Sequence, residues 1–258
     1  QAILLGIVQG LTEFLPVSSS GHLVFFQSLF RMQEPPIFFD VMLHIGTLFA
    51  VMVYFWKDIL EILHGIRATL GGKGKEQPGA RFFLWIIVAT VPTGLIGLLL
   101  KDWFESFFSQ PKLVGGMLLI TGFFLWLTRW TRKEGRKIMK MGWLDAVLIG
   151  IAQGMAIIPG ISRSGATIST GLFCGLDRDL SARFSFLLSI PAILGATVLE
   201  FKKFGSIQEL GITLIGTVVA FGVGILSLTF LIKINTIGKI SVFSYYCWII
   251  GLAIIILK

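Results

Sequence analysis

The sequence predicts an all-α integral membrane protein: an inverted-topology repeat of six transmembrane helices plus two re-entrant helical hairpins. Three observations predict it. Of 258 residues, 55% are hydrophobic and only 14% charged, with mean hydropathy +0.85, whereas a soluble domain carries roughly 25% charge. The apolar residues lie in runs of about twenty, the length that crosses a bilayer. Two further apolar runs are broken in the middle, and they match each other in sequence.

The six unbroken runs are Phe38–Trp56, Phe82–Leu100, Leu113–Trp130, Phe184–Phe201, Leu210–Ile232 and Ile240–Leu257. The broken ones are Ala2–Leu29 and Leu144–Leu176. The first contains Leu15-Pro16-Val17-Ser18-Ser19-Ser20-Gly21-His22, the second Pro159-Gly160-Ile161-Ser162-Arg163-Ser164-Gly165-Ala166-Thr167. Neither piece flanking a break spans alone. Irregular backbone at membrane depth survives only where protein or a water-filled cavity satisfies it, so each segment reads as a hairpin of two half-helices. A kinked spanning helix is the alternative.

A shift of 144 residues aligns the two breaks without a gap. Gly6-Ile7-Val8-Gln9-Gly10 falls on Gly150-Ile151-Ala152-Gln153-Gly154, and Ser18-Ser19-Ser20-Gly21 on Ser162-Arg163-Ser164-Gly165. One more residue of offset brings Phe39 and Leu43 onto Phe184 and Leu188. The chain is therefore expected to be one membrane domain, 1–258, with repeats of about 1–130 and 144–258. Each repeat holds one hairpin and three crossings. Three is odd, so the second repeat lies inverted, with the broken helices meeting near the midplane.

Charge orients the fold. Of 22 Lys and Arg, fifteen fall on one side of these spans and six on the other, Arg163 set aside. The positive-inside rule puts the richer side in the cytoplasm and the mouth of the first hairpin outside. The net charge of +8 is accounted for by these loops, and no basic face with interleaved aromatics suggests nucleic acid. Cys174 and Cys247 are far apart in apolar context and read as packing residues. Position 1 is Gln, so the true N-terminus is not readable, and Ala2–Leu15 lacks the flanks of a signal peptide. The Gly- and Lys-rich stretch Gly71–Gly79 lacks phosphate-loop spacing and reads as a cytoplasmic linker. Trp56, Trp85, Trp103, Trp130 and Trp143 read as interface anchors, and Glu200 as interfacial.

Ionisable groups at membrane depth are costly and default to function. Glu13, His22 and Arg163 are such groups. Gln9 and Glu13 share one helix face. Ser18, Ser19, Ser20 and Gly21 precede the second half-helix, whose N-terminus offers unpaired N–H groups and a positive dipole end. Ser162, Ser164, Gly165 and Thr167 repeat the feature, and Arg163 adds a fork suited to phosphate oxygens. This convergence wants a multiply charged anion, and a diphosphate fits better than a carboxylate. The bland reading is that such serines bond back to their own helix. Asp40 and His44 read as packing or supporting groups. For hydrolysis, Ser19 or Ser18 attacks, His22 serves as base or acid, Glu13 orients it, acts as base or holds a metal, and Arg163 stabilises the equatorial oxygens.

The run Gln9-Gly10-Leu11-Thr12-Glu13-Phe14-Leu15-Pro16-Val17-Ser18-Ser19-Ser20-Gly21-His22 resembles the first signature of the bacterial undecaprenyl-diphosphate phosphatases, the bacitracin-resistance proteins. Pro159 to Thr167 is similar to their second. The likeness extends over nearly the whole chain, including Phe184-Ser185-Phe186-Leu187-Leu188. It implies hydrolysis of undecaprenyl diphosphate to the monophosphate, recycling of the cell-wall carrier lipid, and bacitracin resistance. It further implies a divalent cation, Mg²⁺ or Ca²⁺, with Glu13 as a ligand. Glu13, Ser19, His22 and Arg163 are then catalytic, and Gln9, Ser18, Ser20, Gly21, Ser162, Ser164, Gly165 and Thr167 bind substrate. Gln9 stands where many members have glutamate, which puts a metal role there in doubt. The expected partners are the polyprenyl diphosphate lipid and the membrane, with a homodimer as an assembly open to the chain and no nucleic acid. The expected location is the bacterial inner membrane, multi-pass, with the site opening outward.

Two rival readings share features with this sequence. Ser20-Gly21-His22 mimics a motif of type-2 phosphatidic acid phosphatases, but no histidine follows Ser162-Arg163 where their second motif needs one. Inverted repeats with broken helices are also a transporter design, so a carrier or flippase for an anionic lipid is the alternative function. The Glu13–His22–Arg163 cluster exceeds what binding alone requires and favours an enzyme.

Overall fold

A computed structural model describes residues 1–29, 37–72, 77–100, 103–104, 106–107, 110–132, 134–200 and 210–257. Of the predicted features, the end of the fourth span at Phe201, the centre of the linker and the charges Arg31, Lys73, Lys75, Lys101, Lys133, Lys202, Lys203 and Lys258 lie outside the described residues. Among those described there is no strand, and a single bridge pairs Arg136 with Leu176. The helices are α1 (Ala2–Thr12), α2 (Ser19–Leu29), α3 (Ile37–Tyr54), α4 (Trp56–Leu70), α5 (Pro78–Leu99), α6 (Pro111–Leu127), α7 (Trp143–Met155), α8 (Arg163–Phe173), α9 (Arg178–Glu200), α10 (Leu210–Thr236) and α11 (Phe243–Leu257).

The long helices carry their apolar surface on the outside. The best window of α5 has mean hydropathy 2.2, yet only 22% of it is buried. Leu84, Ile87, Val91, Leu95 and Leu98 on that helix are all exposed. Water would not tolerate so much apolar surface, and lipid does. Among the described residues five helices meet the length and hydropathy needed to cross a membrane, and a sixth span is counted when α3 and α4 are taken together. Pro at the first turn starts α5 and α6, where a missing N–H costs nothing. A hydrogen bond from the Leu180 N–H to Asp177 Oδ1 (2.6 Å) caps the start of α9, which begins at Arg178, ahead of the expected Phe184.

One helix was not expected. The chain bends by 73° after Tyr54, and α4 leaves at that angle with Lys57, Asp58, Glu61, His64 and Arg67 along it. Its Gly65 lies against the backbone of Ala80 and Gly79 at the start of α5, where any side chain would collide. Ile59 and Ile62 pack on the core while Trp56, Leu60 and Leu63 stay exposed. This is the pattern of a helix lying along a membrane surface. A hydropathy reading misses it because its charges mask its apolar stripe.

The broken segments fold as two short helix pairs. α1 and α2 flank the break 13–18, α7 and α8 the break 156–162. Each arm of about 11 residues is roughly 16 Å long, about half a hydrocarbon core. The arms of each pair are in contact with each other.

Packing between the halves is reciprocal. α1 lies on α10, where a Cβ at Gly6 would come within 2.6 Å of the Gly216 carbonyl and one at Gly10 within 2.8 Å of that of Ala220. At the matching positions of the other half, α7 lies on α5, and Gly150 abuts the Ala89 carbonyl and the Pro92 ring. There Thr93 Oγ1 donates to the Gly150 carbonyl at 2.8 Å. The last helices of the halves, α6 and α11, meet at Gly115 and Gly251, each facing the other's carbonyl. Small residues let backbones approach in lipid, where close packing replaces the hydrophobic drive. The first arm of each pair is thus held by the other half's second long helix, and that interlock brings the two breaks face to face.

The basic segments gather at one end of this bundle. Arg183 of α9 pairs with Asp58 of α4, the Arg178 carbonyl accepts from Asn235 of α10 at 2.6 Å, and Arg136 pairs with Asp145 at 2.7 Å. Arg129 stacks over Trp126 and Trp130 nearby, an aromatic–cation cluster suited to a membrane interface.

Candidate active site

The two breaks build one site around one carboxylate. Glu13 is 7% exposed, and its Oε1 accepts from Arg163 Nη2 at 2.9 Å. Its Oε2 accepts from Ser19 Oγ at 2.7 Å and from Gln9 Nε2 at 3.1 Å. Ser19 and Arg163 occupy matching positions of the repeats. The duplicated loops therefore grip the two oxygens of a single carboxylate, one with a hydroxyl and the other with a guanidinium. The matching position to Glu13 is Ile157, so the acidic group exists on one side only.

Around that asymmetric centre the loops repeat each other in detail. Ser18 Oγ accepts from the Gly21 N–H at 3.3 Å and lies 3.3 Å from Ser20 Oγ. Ser162 Oγ accepts from the Gly165 N–H at 3.1 Å and lies 3.2 Å from Ser164 Oγ. Each serine is an N-cap that satisfies one free N–H of its helix. Ser18 Oγ further accepts from the Gly160 N–H at 3.1 Å, stitching one break to the other. Thr121 of α6 holds the second break from outside, donating to the Gly160 carbonyl and accepting from the Ser162 N–H.

Among the described residues, two polar atoms at this centre have no partner: Gln9 Oε1, an acceptor, and Arg163 Nη1, a donor. A buried unpaired group costs about 1–3 kcal/mol, and native proteins tolerate it chiefly where something else binds. A guanidinium N–H with no acceptor at the meeting point of two helix N-termini wants an oxyanion.

The predicted residues divide accordingly. Glu13, Gln9, Ser19 and Arg163 form the centre, with Ser18, Ser20 and Gly21 in the adjoining turn. The Ser164 hydroxyl donates to the Leu15 carbonyl at 3.4 Å. Thr167 Oγ1 bonds the Arg163 carbonyl at 2.8 Å and meets Ser185 Oγ of α9 at 2.5 Å. Ser162, Ser164, Gly165 and Thr167 therefore build the wall that positions Arg163, and their hydroxyls are already bonded within the protein. His22, expected beside Ser19, does not face it. Its ring nitrogens are bonded to the Ser18 carbonyl and to Tyr246. A helix carries position i+3 over the turn N-terminal to it, and here the bond to Ser18 turns the ring off the Ser19–Glu13 line.

His44, read from the sequence as a packing or supporting group, stands beside the carboxylate. Its Nε2 lies 3.7 Å from Glu13 Oε2 and its Nδ1 is 2.8 Å from the Asp40 carbonyl. The carbonyl only accepts, so Nδ1 is the protonated nitrogen and Nε2 faces the carboxylate. That is the place of a supporting group, touching the carboxylate from α3.

Among the described residues no three His, Cys, Asp or Glu side chains come together to hold a metal. Both Glu13 oxygens already accept hydrogen bonds, one from a cation. A resident divalent ion held by protein carboxylates does not fit this donor set.

The model of the bacitracin resistance protein BacA family matches residues 2–253. The chain is 46% identical over 267 residues to an undecaprenyl-diphosphatase of Desulforapulum autotrophicum, covering 99% of this chain and 97% of the relative. An undecaprenyl-diphosphatase of Desulfosudis oleivorans is 49% identical over 261 residues, covering 97% and 95%. One of Halothermothrix orenii is 45% identical over 261 residues, covering 100% and 97%. With matches of this length and identity joined to a site built from both signatures, the chain belongs to the bacitracin resistance protein BacA family.

Proposed function

We propose that this membrane protein hydrolyses undecaprenyl diphosphate to undecaprenyl phosphate and inorganic phosphate, recycling the cell-wall carrier lipid and conferring bacitracin resistance. One observation carries the chemistry: a hydroxyl and a guanidinium on the two oxygens of a buried carboxylate, with the guanidinium's second nitrogen free. That is a nucleophile, its base and an oxyanion holder in mutual contact.

The terminal phosphoryl group sits against Arg163 Nη1 and the N–H groups that open α2. Ser19 Oγ attacks phosphorus and its proton passes to Glu13 Oε2. The bond from phosphorus to the bridging oxygen breaks, and Glu13 hands the proton to the departing lipid phosphate. Water then attacks the phosphoserine, its proton going to Glu13 and from there back to Ser19 Oγ as phosphate leaves. Arg163 balances the equatorial charge in both stages, where positioning and electrostatics dominate. The divalent cation implied by the family resemblance is best placed with the diphosphate as its counter-ion, so no step is assigned to it.

The test is phosphate release from a polyprenyl diphosphate by purified protein, with and without a chelator. Release that the chelator slows, and that Mg²⁺ or Ca²⁺ restores, is the expected result. Lipid movement without release would replace this reading with the carrier one.

The inverted arrangement, with the basic end in the cytoplasm and the site opening outward in the inner membrane, belongs to the same proposal. The reciprocal contacts of α1 with α10 and α7 with α5, and the fifteen-to-six charge bias, support it. Gln77 is exposed at the start of α5. In a Cys174→Ser background, Gln77→Cys should react with an impermeant thiol reagent in inverted membrane vesicles and not in intact spheroplasts. The opposite pattern would reverse the orientation.

A further inference from the structure

His22 is held from two sides, and the second holder lies in neither signature. Its Nδ1 is 2.8 Å from the Ser18 carbonyl, so Nδ1 carries the hydrogen. The neutral ring then offers Nε2 as an acceptor, and the Tyr246 hydroxyl at 2.8 Å donates to it. The rings lie 11° from parallel with centroids 5.7 Å apart. Tyr246 stands early in α11, the last helix of the second half, and reaches 224 positions back along the chain.

What His22 holds is unusual. Ser18 has φ +67°, and among the described residues it is the one non-glycine with positive φ. L-residues other than Gly, Asn and Asp seldom adopt that conformation, because Cβ crowds the following carbonyl oxygen. Capping does not demand it, because Ser162 makes the matching cap with φ −77°. The strain appears only in the half where the next residue must turn its hydroxyl onto Glu13. Strained turns persist when their surroundings over-determine them. Here the surroundings are the His22 ring on the Ser18 carbonyl, and the Gly21 and Gly160 N–H groups on the Ser18 hydroxyl.

We propose that Tyr246 is a positioning residue for the phosphatase reaction: through His22 it fixes the Ser18 turn and thereby the line of the Ser19 hydroxyl on Glu13. This rests on the phosphatase reading above. It assigns His22 to holding the turn, and it makes α11 of one half the brace for the break of the other.

Kinetics of the full chain in detergent, with a polyprenyl diphosphate as substrate, test it. Tyr246→Phe removes one hydroxyl from a side chain 41% exposed. The variant is expected to unfold within a few degrees of the parent, with kcat down about tenfold and KM within about twofold, the signature of an interaction lost at the reacting centre. His22→Ala should cost more, and adding Tyr246→Phe to it should cost nothing further, because both act along one path. Should the Phe variant fail to fold, Tyr246→Leu, which also lacks a donor, must show the same loss and the same non-additivity. Losses that add in the double variant, or Tyr246→Phe at parental rate, overturn the proposal. A parent chain that releases no phosphate would instead overturn the function on which it rests.

Discussion

Glu13→Gln is expected to lower phosphate release by about three orders of magnitude, the middle of the range for losing a general base. The change keeps the side chain's volume, so the cause is chemical. An amide does not accept the proton of Ser19 Oγ, and it turns an N–H toward one of the donors that now converge on the carboxylate, Arg163, Ser19 or Gln9. The same variant should also be less stable, by about 3 kcal/mol, because a mostly buried guanidinium loses its counter-charge. These two effects separate. Pairing Glu13→Gln with Arg163→Gln removes both charges and should recover much of the stability while activity stays lost. Thermal unfolding and phosphate release on Glu13→Gln, Arg163→Gln and the double variant decide it. Activity returning with stability would mean Glu13 holds the fold and does no chemistry.

Much of this site was legible in the chain because two of its segments match each other at a fixed offset. The 144-residue shift located both breaks, and the structure places the matched serines in matching caps and the matched glycines in matching helix crossings. Asymmetry carried the chemistry, and that was legible too: Ser19 against Arg163, and Glu13 against Ile157. Contacts made across long sequence distances were not readable. Tyr246 lies in an ordinary apolar span, and nothing in its spacing points to His22. His44 was visible as an ionisable residue, but only the folded arrangement of α1 and α3 brings it to Glu13. α4 was hidden for a different reason. Its charges are those of a surface helix, and a window tuned to spanning segments averages them into a loop. The expected partnership of His22 with Ser19 failed because spacing along a helix fixes which residues are neighbours, while a side chain's rotamer is chosen by its hydrogen bonds.

Arg163→Ala is expected to abolish turnover, by about 10³- to 10⁵-fold, the range seen when an arginine that stabilises a transferring phosphoryl group is removed. The argument runs from the free nitrogen. Nη2 is committed to Glu13 Oε1, and among the described residues Nη1 has no partner, so the planar fork can hold the base with one arm and the phosphoryl oxygens with the other. Only a bidentate group does both. Arg163→Lys keeps the charge but presents one ammonium, which must choose between the carboxylate and the phosphate. It should recover only a small part of the lost rate, perceptibly above alanine and still about 100-fold below the parent. Binding gives an independent reading. Inorganic pyrophosphate should raise the unfolding temperature of the parent, because a ligand that binds only the folded state stabilises it, and should leave Arg163→Ala unmoved. Turnover by Arg163→Ala within tenfold of the parent, or an undiminished shift with pyrophosphate, would place the anion elsewhere. The serine loops would then be no more than the caps of two short helices.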